Sequence, residues 1–329
     1  MLIKQSIKKI LQKLHLYNFA VRIISKSKPS RVKTILKSET KFSFNVGNEN
    51  KIKLHAQIRL VIHTIEKMTV KNKGSEKFYE LQLTNLYRLV SLLIKKYDYS
   101  LNGDAVVETI GITDMILSIV DSEVIQKMRQ DFIDNNNLKD VKPRNINISS
   151  INSFTYPFNF EGYSTFVKER HSIREFENRI VEKDVVKDIV NIAKICPSEC
   201  NRQTCKVYYT KDQDKLRKLY PDPIVTKDIY NMLIITVDKS SYSMQEVLQP
   251  WIDGGIFAES MIMAIHAKGL GACLFQCIKE TKRYESIKQL ANIPKNEDIV
   301  CFVGFGYLKD SIKFISTHRK DTNDILLEY

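Results

Sequence analysis

The segment from Arg170 to Arg174 reads Arg-His-Ser-Ile-Arg. Two guanidinium groups that flank a hydroxyl can bind a phosphate, because guanidinium pairs bidentately with phosphate oxygens and the serine adds a short hydrogen bond. The same residues have a purely structural interpretation, since Ser172 and Glu175 match a helix-capping box and arginines are common in surface turns. The segment therefore predicts either a phosphate site or a helix start.

A second segment with polar side chains begins at Cys196 and reads Cys-Pro-Ser-Glu-Cys-Asn-Arg-Gln. Its amide side chains at Asn201 and Gln203 could recognise the edge of a planar heteroaromatic ring through paired donors and acceptors. The alternative is an ordinary turn in which Asn201 satisfies backbone groups.

The third segment, residues 251–276, begins with a helix that is apolar on nearly every side, so we expect this helix to be central to its domain. Gly269 fits a C-terminal helix cap. The small residues that follow it would let the backbone approach a flat ligand closely.

Together and in this order, these segments resemble the nitroreductase family of flavoproteins. The resemblance covers about residues 165–329 and rests on five motifs: R-x-S-x-R, P-S-x-x-N-x-Q, the D-G-G-x-x-A helix, G-L-G-x-C and the late arginine of Thr-His-Arg-Lys. Within the family the chain resembles the bacterial members whose genes accompany surface-polysaccharide clusters. Two departures are visible. The family usually continues N-x-Q-P-W, whereas here Thr204 and Cys205 follow the glutamine, and the stretch from Lys211 to Asn231 is short and has no clear glycine-containing flavin contact.

The resemblance implies that FMN binds at the interface of an intertwined homodimer. It assigns the ribityl chain and phosphate to Arg170, His171, Ser172, Arg174 and Arg319. It assigns contacts with the flavin ring of the other subunit to Pro197, Ser198 and Asn201. Along the isoalloxazine it places Leu274, Phe275 and Gln276, with the backbone N–H of Gln276 near the N5 atom.

The function that the resemblance implies is an FMN-dependent oxidoreductase. NAD(P)H would reduce the flavin, and an unidentified small molecule would then accept the electrons in a ping-pong cycle. Because the flavin carries the chemistry, we expect no catalytic side chain and no metal. Two alternatives remain: a flavin-poor interaction protein of nitroreductase fold at a membrane-associated polysaccharide assembly, and a flavin-dependent dehydrogenase of a biosynthetic intermediate.

A homodimer is also expected from the reach of the chain. The segments 170–174 and 197–201 lie at opposite ends of one predicted amphipathic helix, which should span about 20 Å at 1.5 Å per residue. One flavin can hardly contact both ends of the same helix, so a twofold-related partner is the natural source of the second set of contacts.

The elements that must position these residues suggest an α+β fold, a nitroreductase-like mixed β-sheet flanked by helices. Three short runs, residues 205–210, 232–237 and 299–304, are apolar and rich in β-branched or aromatic residues, which is typical of buried strands. Helical patterns at about 162–170, 183–195, 211–219 and 253–268 alternate with them.

The chain before this domain is predicted to be mainly helical. Apolar residues recur at three- and four-residue steps from Lys51 to Leu138, with a loop at 71–75 and a third helix at 112–132. The polar run 135–153 has the composition of a linker. We therefore place a domain boundary near residue 150, between a basic helical region of unknown role (1–150) and the nitroreductase-like domain (151–329).

The distribution of charge bears on the partners and the location of the protein. Of the net charge of +13, residues 1–50 carry +9, from 11 basic and two acidic residues. At helical spacing, four lysines lie on the face opposite an apolar stripe of Ile3, Ile7, Ile10, Leu11 and Leu14. This pattern suits an interfacial membrane helix, a helix packed on the rest of the chain, or a presequence. We expect a cytoplasmic protein with a peripheral contact to an anionic membrane through residues 1–25, and no nucleic-acid partner.

Other classes of protein are disfavoured. The 11 glycines form neither a P-loop nor a G-x-G-x-x-G motif, and the six histidines include no H-E-x-x-H zinc site. The six cysteines have neither zinc-ribbon nor ferredoxin spacing, so we expect free thiols in a reducing compartment.

Overall fold

The computed structural model describes residues 43, 50–146, 148, 157–220, 226–277, 279, 282–314 and 319–328. The predicted basic amphipathic helix near the N-terminus lies outside these residues. The described chain forms a helical unit, up to residue 146, and an α+β unit from residue 157 onward.

The helical unit contains four helices among its described residues. They are α1 (Lys51–Val70), α2 (Glu76–Tyr97), α3 (Asp104–Leu117) and α4 (Glu123–Asn135). Side chains at the N-caps of α1, α2 and α4 accept hydrogen bonds from the first turn of each helix, and these residues are Asn50, Ser75 and Ser122.

The prediction of a single helix over 112–132 is wrong. The chain forms α3 and α4 there, separated by five residues. Ser118 ends α3 by donating its hydroxyl hydrogen to the carbonyl oxygen of Met115 at 2.7 Å, and Ser122 starts α4 by accepting from the backbone N–H of Ile125 at 3.1 Å. The apolar residues keep their helical spacing across both helices, but the two serine caps end one helix and start the next.

The first part of the predicted linker packs on the helical unit. Leu138 is 1% exposed, and the backbone N–H of Arg144 donates to the carbonyl oxygen of Val107 in α3 at 2.8 Å. Gly111 makes this approach feasible, because a Cβ at this position would lie 2.0 Å from the carbonyl oxygen of Arg144. Buried Glu108 pairs with both Arg144 and Arg59, so charge also holds the segment against α3.

The α+β unit alternates helices and strands. Its helices are α5 (Phe160–Glu169), α6 (Lys183–Ala193), α7 (Gln213–Leu219), α8 (Gln249–Ala267) and α9 (Lys282–Leu290). Its strands are β1 (Cys205–Thr210), β2 (Asn231–Asp238), β3 (Gly271–Gln276) and β4 (Glu297–Gly306).

The four strands form one sheet in the order β1-β2-β4-β3, and all neighbours in it are antiparallel. Ser172 adds a parallel bridge to Ala272 at the β3 edge. Every residue of the central strand β2 is buried. The predicted α+β class and the three predicted strands are confirmed, whereas β3 and α9 were not predicted.

Apolar layers cover both faces of the sheet. On one face α6 and α8 pack through residues such as Ile189, Met261 and Ile265. On the other face α7, α9 and Phe176 pack against residues such as Ile234 and Phe302. Gly269 ends α8 with φ of +71°, as the predicted glycine cap requires.

The two units contact each other through α1. One side of α1 enters the core of the helical unit, and α1 also lies against the short 3₁₀ turns Glu199–Asn201 and Lys239–Ser241 of the α+β unit. Ala56 is 3% exposed although it lies outside the helical core, which indicates that it faces the second contact. Among the described helices, none is long and apolar enough to cross a membrane.

Candidate functional site

A cleft of about 1380 Å³ opens beside strand β3. Its walls come from the C-terminal end of α5, the segment 170–175, α8, β3, residues 312–314 and Arg319. Six of the predicted site residues line it: Arg170, His171, Ser172, Arg174, Leu274 and Arg319. The structure therefore brings together predicted residues that lie up to 149 positions apart in the chain.

The edge of the sheet positions the segment Arg170–Arg174. The backbone N–H of Ile173 donates to the carbonyl oxygen of Ala272 at 3.0 Å, and the Ile173 side chain is buried in the core. Because successive side chains of an extended segment alternate, Ser172 and Arg174 are left at the cleft when Ile173 points inward. No helix begins at this segment, so its interpretation as a capping box is wrong.

A ring contact joins the cleft to the chain beyond the last strand. His171 stacks on Phe314 with ring centroids 3.7 Å apart and planes 20° apart. This contact brings Phe314 and Lys313 to the cleft wall, and the sequence analysis predicted neither. Glu259 and Met263 of α8 and Lys168 of α5 also line the cleft without having been predicted, because nothing in their local sequence distinguishes them from surface helix positions.

Strand β3 presents only one of its three predicted flavin contacts as a side chain. Leu274 is 41% exposed and lines the cleft. Phe275 points to the opposite face of the sheet, where its ring lies 5.4 Å from that of Tyr220. Gln276 is exposed but is not part of the cleft wall. At Phe275 and Gln276, a contact in this cleft would have to come from the backbone.

The loop that contains Pro197, Ser198 and Asn201 lies away from this cleft. Its backbone is strained, since Cys200, Asn201 and Gln203 all have φ near +50°, a region that non-glycine residues rarely adopt. Ser198 supports the loop by accepting a hydrogen bond from the backbone N–H of Gln203 at 3.1 Å. Such a conformation persists only where the surroundings fix it.

Asp253 of α8 provides this support. Its carboxylate, 1% exposed, accepts from the backbone N–H of Glu199 at 3.1 Å and from the Tyr242 hydroxyl at 2.7 Å. Tyr242 also contacts the Thr204 hydroxyl at 2.5 Å, and burial raises the pKa of Tyr242 far above its usual value. Thr204, one of the two residues at which the chain departs from the family pattern, is therefore part of the buried network that holds the loop.

Cys273 lies in the cleft wall next to the predicted phosphate clamp. Burial raises the pKa of its thiol, although the nearby Arg174 and Ser172 act in the opposite direction. The thiol is therefore protonated at neutral pH and is a poor nucleophile. What the cleft offers is recognition of anions by cationic side chains and an apolar surface at Leu274.

Known proteins are similar to this chain in the region that forms the α+β unit. The model of the nitroreductase family matches residues 167–249 and 233–307. A provisional NADH dehydrogenase/NAD(P)H nitroreductase from Methanothermobacter thermautotrophicus is 25% identical over 145 residues, which are 43% of this chain and 74% of the relative.

Solved structures give similar matches. An FMN-dependent nitroreductase from Clostridium difficile is 22% identical, with a TM-score of 0.40, over 48% of this chain and 92% of that one. A nitroreductase family protein from Streptococcus pneumoniae is 15% identical, with a TM-score of 0.45, over 51% of this chain and all of that one. On the match to the family model, residues 167–307 of this chain form a nitroreductase-family domain.

Proposed function

We propose that this protein is an FMN-dependent oxidoreductase that transfers electrons from NAD(P)H to a small-molecule acceptor in a ping-pong cycle. The observation that carries the proposal is the convergence of Arg170, Ser172, Arg174 and Arg319 on one large cleft at the β3 edge. The name of the methanogen relative, which refers to NADH and NAD(P)H, supports a nicotinamide nucleotide as the electron donor.

The residues present fit FMN. Three guanidinium groups and a hydroxyl are suitable donors for a phosphate and a ribityl chain. Leu274 offers an exposed apolar side chain, as a flat aromatic ring requires. When bound, FMN would supply the redox chemistry, and this chain would bind it, orient it and limit its contact with water.

We also propose that the protein acts as a homodimer in which the partner supplies Pro197, Ser198 and Asn201. Helix α6 is 11 residues long, or about 16 Å at 1.5 Å per residue, and eight further residues separate it from Arg174. An exposed apolar row at the start of α8 is available for a twofold interface, and it consists of Leu248, Ile252 and Ile256.

The proposed location is the cytoplasm, with the predicted peripheral membrane contact through residues 1–25. The six cysteines support this location because all are free, although all six lie in the α+β unit.

Substitution of the clamp arginines tests the cofactor. Arg174→Gln and Arg319→Gln should each weaken FMN binding by about 1.5–3 kcal/mol, or roughly ten- to hundredfold, because each removes a charge-assisted hydrogen bond to phosphate. Arg217→Gln is the matched control, since Arg217 is exposed on α7 and does not line the cleft. The readouts are flavin absorbance per chain after gel filtration and FMN titration by fluorescence. Unchanged flavin content in both clamp variants would contradict the proposed site.

A further inference from the structure

The cleft carries more positive charge than one cofactor phosphate requires. Among the described residues that line it, five are lysine or arginine and two are glutamate, a formal excess of three positive charges. Glu175, one of the two glutamates, lies 3.6 Å from Lys309, which is outside the set lining the cleft. A phosphate monoester carries about −1.5 to −2 at pH 7, so binding FMN alone would leave the cleft positive.

The cleft is also large. Pockets for small molecules usually have volumes of about 300–1,000 Å³, and this one has about 1380 Å³. There is room for a second ligand beside the resident one, and the surplus charge favours an anionic ligand.

The surplus comes from Lys168 and Lys313. Both side chains line the cleft and are exposed, and within the described part of the chain neither makes an ion pair. Each lies close in sequence to one member of the His171–Phe314 stack, so this ring contact brings the two lysine-bearing segments to the same rim. The arginines, in contrast, belong to the predicted FMN clamp.

We propose that Lys168 and Lys313 bind a phosphate group of the electron-donating nicotinamide nucleotide. This inference rests on the proposed function and names two residues that recognise its donor. The different chemistry of arginine and lysine explains why one would bind the cofactor and the other the nucleotide. Planar guanidinium groups bind phosphate bidentately and suit a resident cofactor, whereas lysine is a mobile point charge that suits a ligand which must leave in every cycle.

The test compares Lys168→Gln/Lys313→Gln with the parent and with Lys211→Gln, an exposed lysine outside the cleft. Steady-state kinetics with NADPH and with NADH are combined with flavin content. We expect KM for the nucleotide to rise about three- to tenfold in the double variant, as the loss of two exposed charge contacts implies, with kcat and flavin content unchanged. The salt dependence of KM should also become weaker.

The two nucleotides distinguish the source of the phosphate. A rise with NADPH alone identifies the 2′-phosphate of the adenosine, and an equal rise with both identifies the pyrophosphate. An unchanged KM with both nucleotides in a flavin-loaded double variant overturns the inference and leaves the proposed function intact.

If the purified protein is inactive, the inference can still be tested by measuring the binding of nucleotide fragments directly. In calorimetric titrations the 2′-phosphorylated form of ADP-ribose should bind more weakly to the double lysine variant than to the parent and to Lys211→Gln. ADP-ribose itself should show the same loss where the lysines bind the pyrophosphate. Equal binding to all three proteins overturns the inference. A parent that binds no FMN contradicts the proposed function instead, so the two failures are distinguishable.

Discussion

Both units of the molecule bury carboxylates, and two of these, Glu108 and Asp253, have different kinds of partner. Glu108 of the helical unit lies between two arginines, Arg59 and Arg144. Asp253 of the α+β unit accepts from the backbone N–H of Glu199, the Tyr242 hydroxyl and a glutamine amide. The first carboxylate fixes a surface segment to a helix by charge, and the second fixes a strained loop to a helix by neutral donors.

The buried residues with the largest shifts in pKa lie in a different part of the molecule from the cleft. Burial raises the pKa of Glu108, Tyr242 and Tyr284, yet none of these residues lines the cleft. The cleft instead contains charged side chains at the surface of the molecule. Strongly shifted pKa values are often a guide to active sites, but structural networks shift them too, and here they mark the residues that hold the scaffold.

The largest expected effect separates the two carboxylates. In Asp253→Asn an amide NH₂ group replaces one carboxylate oxygen and can no longer accept the hydrogen bonds that this oxygen received. Each buried donor left without an acceptor lowers the free energy of unfolding by about 1–3 kcal/mol. Because several donors are affected, the free energy of unfolding should fall more than in Glu108→Gln, where Arg144 remains half exposed to water. Urea unfolding, followed by circular dichroism, measures both variants.

The flavin content of the same two variants shows which of the two carboxylates supports the proposed FMN site. Asp253→Asn loosens the loop of Pro197, Ser198 and Asn201 and should lower FMN affinity, whereas Glu108→Gln should leave it unchanged. If both variants lose flavin equally, the distinction between a support for the site and a support for the helical unit is wrong.

The fold was largely predictable because its main elements have strong apolar periods. The buried run at β2 and the amphipathic pattern of α6 specify their elements locally. Strand β3 was missed because it begins two residues after the glycine cap and starts with Gly271 and Ala272, residue types that are depleted in strands. Helices α3 and α4 were merged because serine caps interrupt an apolar period without changing it.

Residues of the cleft wall were predictable only where they belong to a family motif. Arg170 to Arg174 could be identified because the segment is short and its spacing is chemically distinctive. Phe314, Lys313 and Glu259 reach the cleft through tertiary packing, and no local pattern specifies such a meeting. The side-chain direction of Phe275 depends on the register between β3 and β4, which is likewise a tertiary property.

A second prediction concerns the contact between the units. Ala56→Arg should place a long side chain where α1 approaches the α+β unit, at a cost of about 1–3 kcal/mol from overpacking. Trp251, the one tryptophan of the chain, lies in α8, so its fluorescence reports on the α+β unit. In the variant the fluorescence and circular-dichroism unfolding curves should separate, whereas in Thr84→Arg, on an exposed position of α2, they should coincide as in the parent.

A third prediction uses pH, because one buried carboxyl in each unit, Asp298 and Glu108, has a pKa shifted in the opposite direction from the other. Burial alone would raise the pKa of Asp298, but Lys239 and Lys279, at 2.6 and 2.5 Å, hold it below the ordinary 3.8. Asp298 therefore stabilises the fold above pH 3.8, and this contribution is lost as the pH falls through its folded-state value. Burial raises the pKa of Glu108 above the ordinary 4.5 although Arg59 and Arg144 act in the opposite direction, so ionising this carboxyl costs more in the folded chain and its contribution to stability falls as the pH rises.

The measurement is the urea midpoint between pH 6 and pH 3. Fluorescence of Trp251 should show a steeper loss in the parent than in Asp298→Asn, since the variant no longer has this carboxylate to protonate. Glu108→Gln should keep the parent's slope in that signal. Identical slopes in the parent and Asp298→Asn would show that Asp298 does not carry the acid sensitivity.

The smallest expected effect concerns the thiols, all six of which lie in the α+β unit. Burial raises the pKa of Cys205 and of Cys301 to about 12. At pH 8 only about one such thiol in 10⁴ is ionised, and the thiolate is the form that alkylating reagents attack. Iodoacetamide labelling read by peptide mass spectrometry should therefore leave both cysteines unmodified in the native protein.

Asp253→Asn, which loosens the neighbouring loop, should increase labelling at Cys205 first. Glu108→Gln should not, because it acts on a unit that contains no cysteine, and faster labelling in that variant would mean that the helical unit stabilises the sheet through α1.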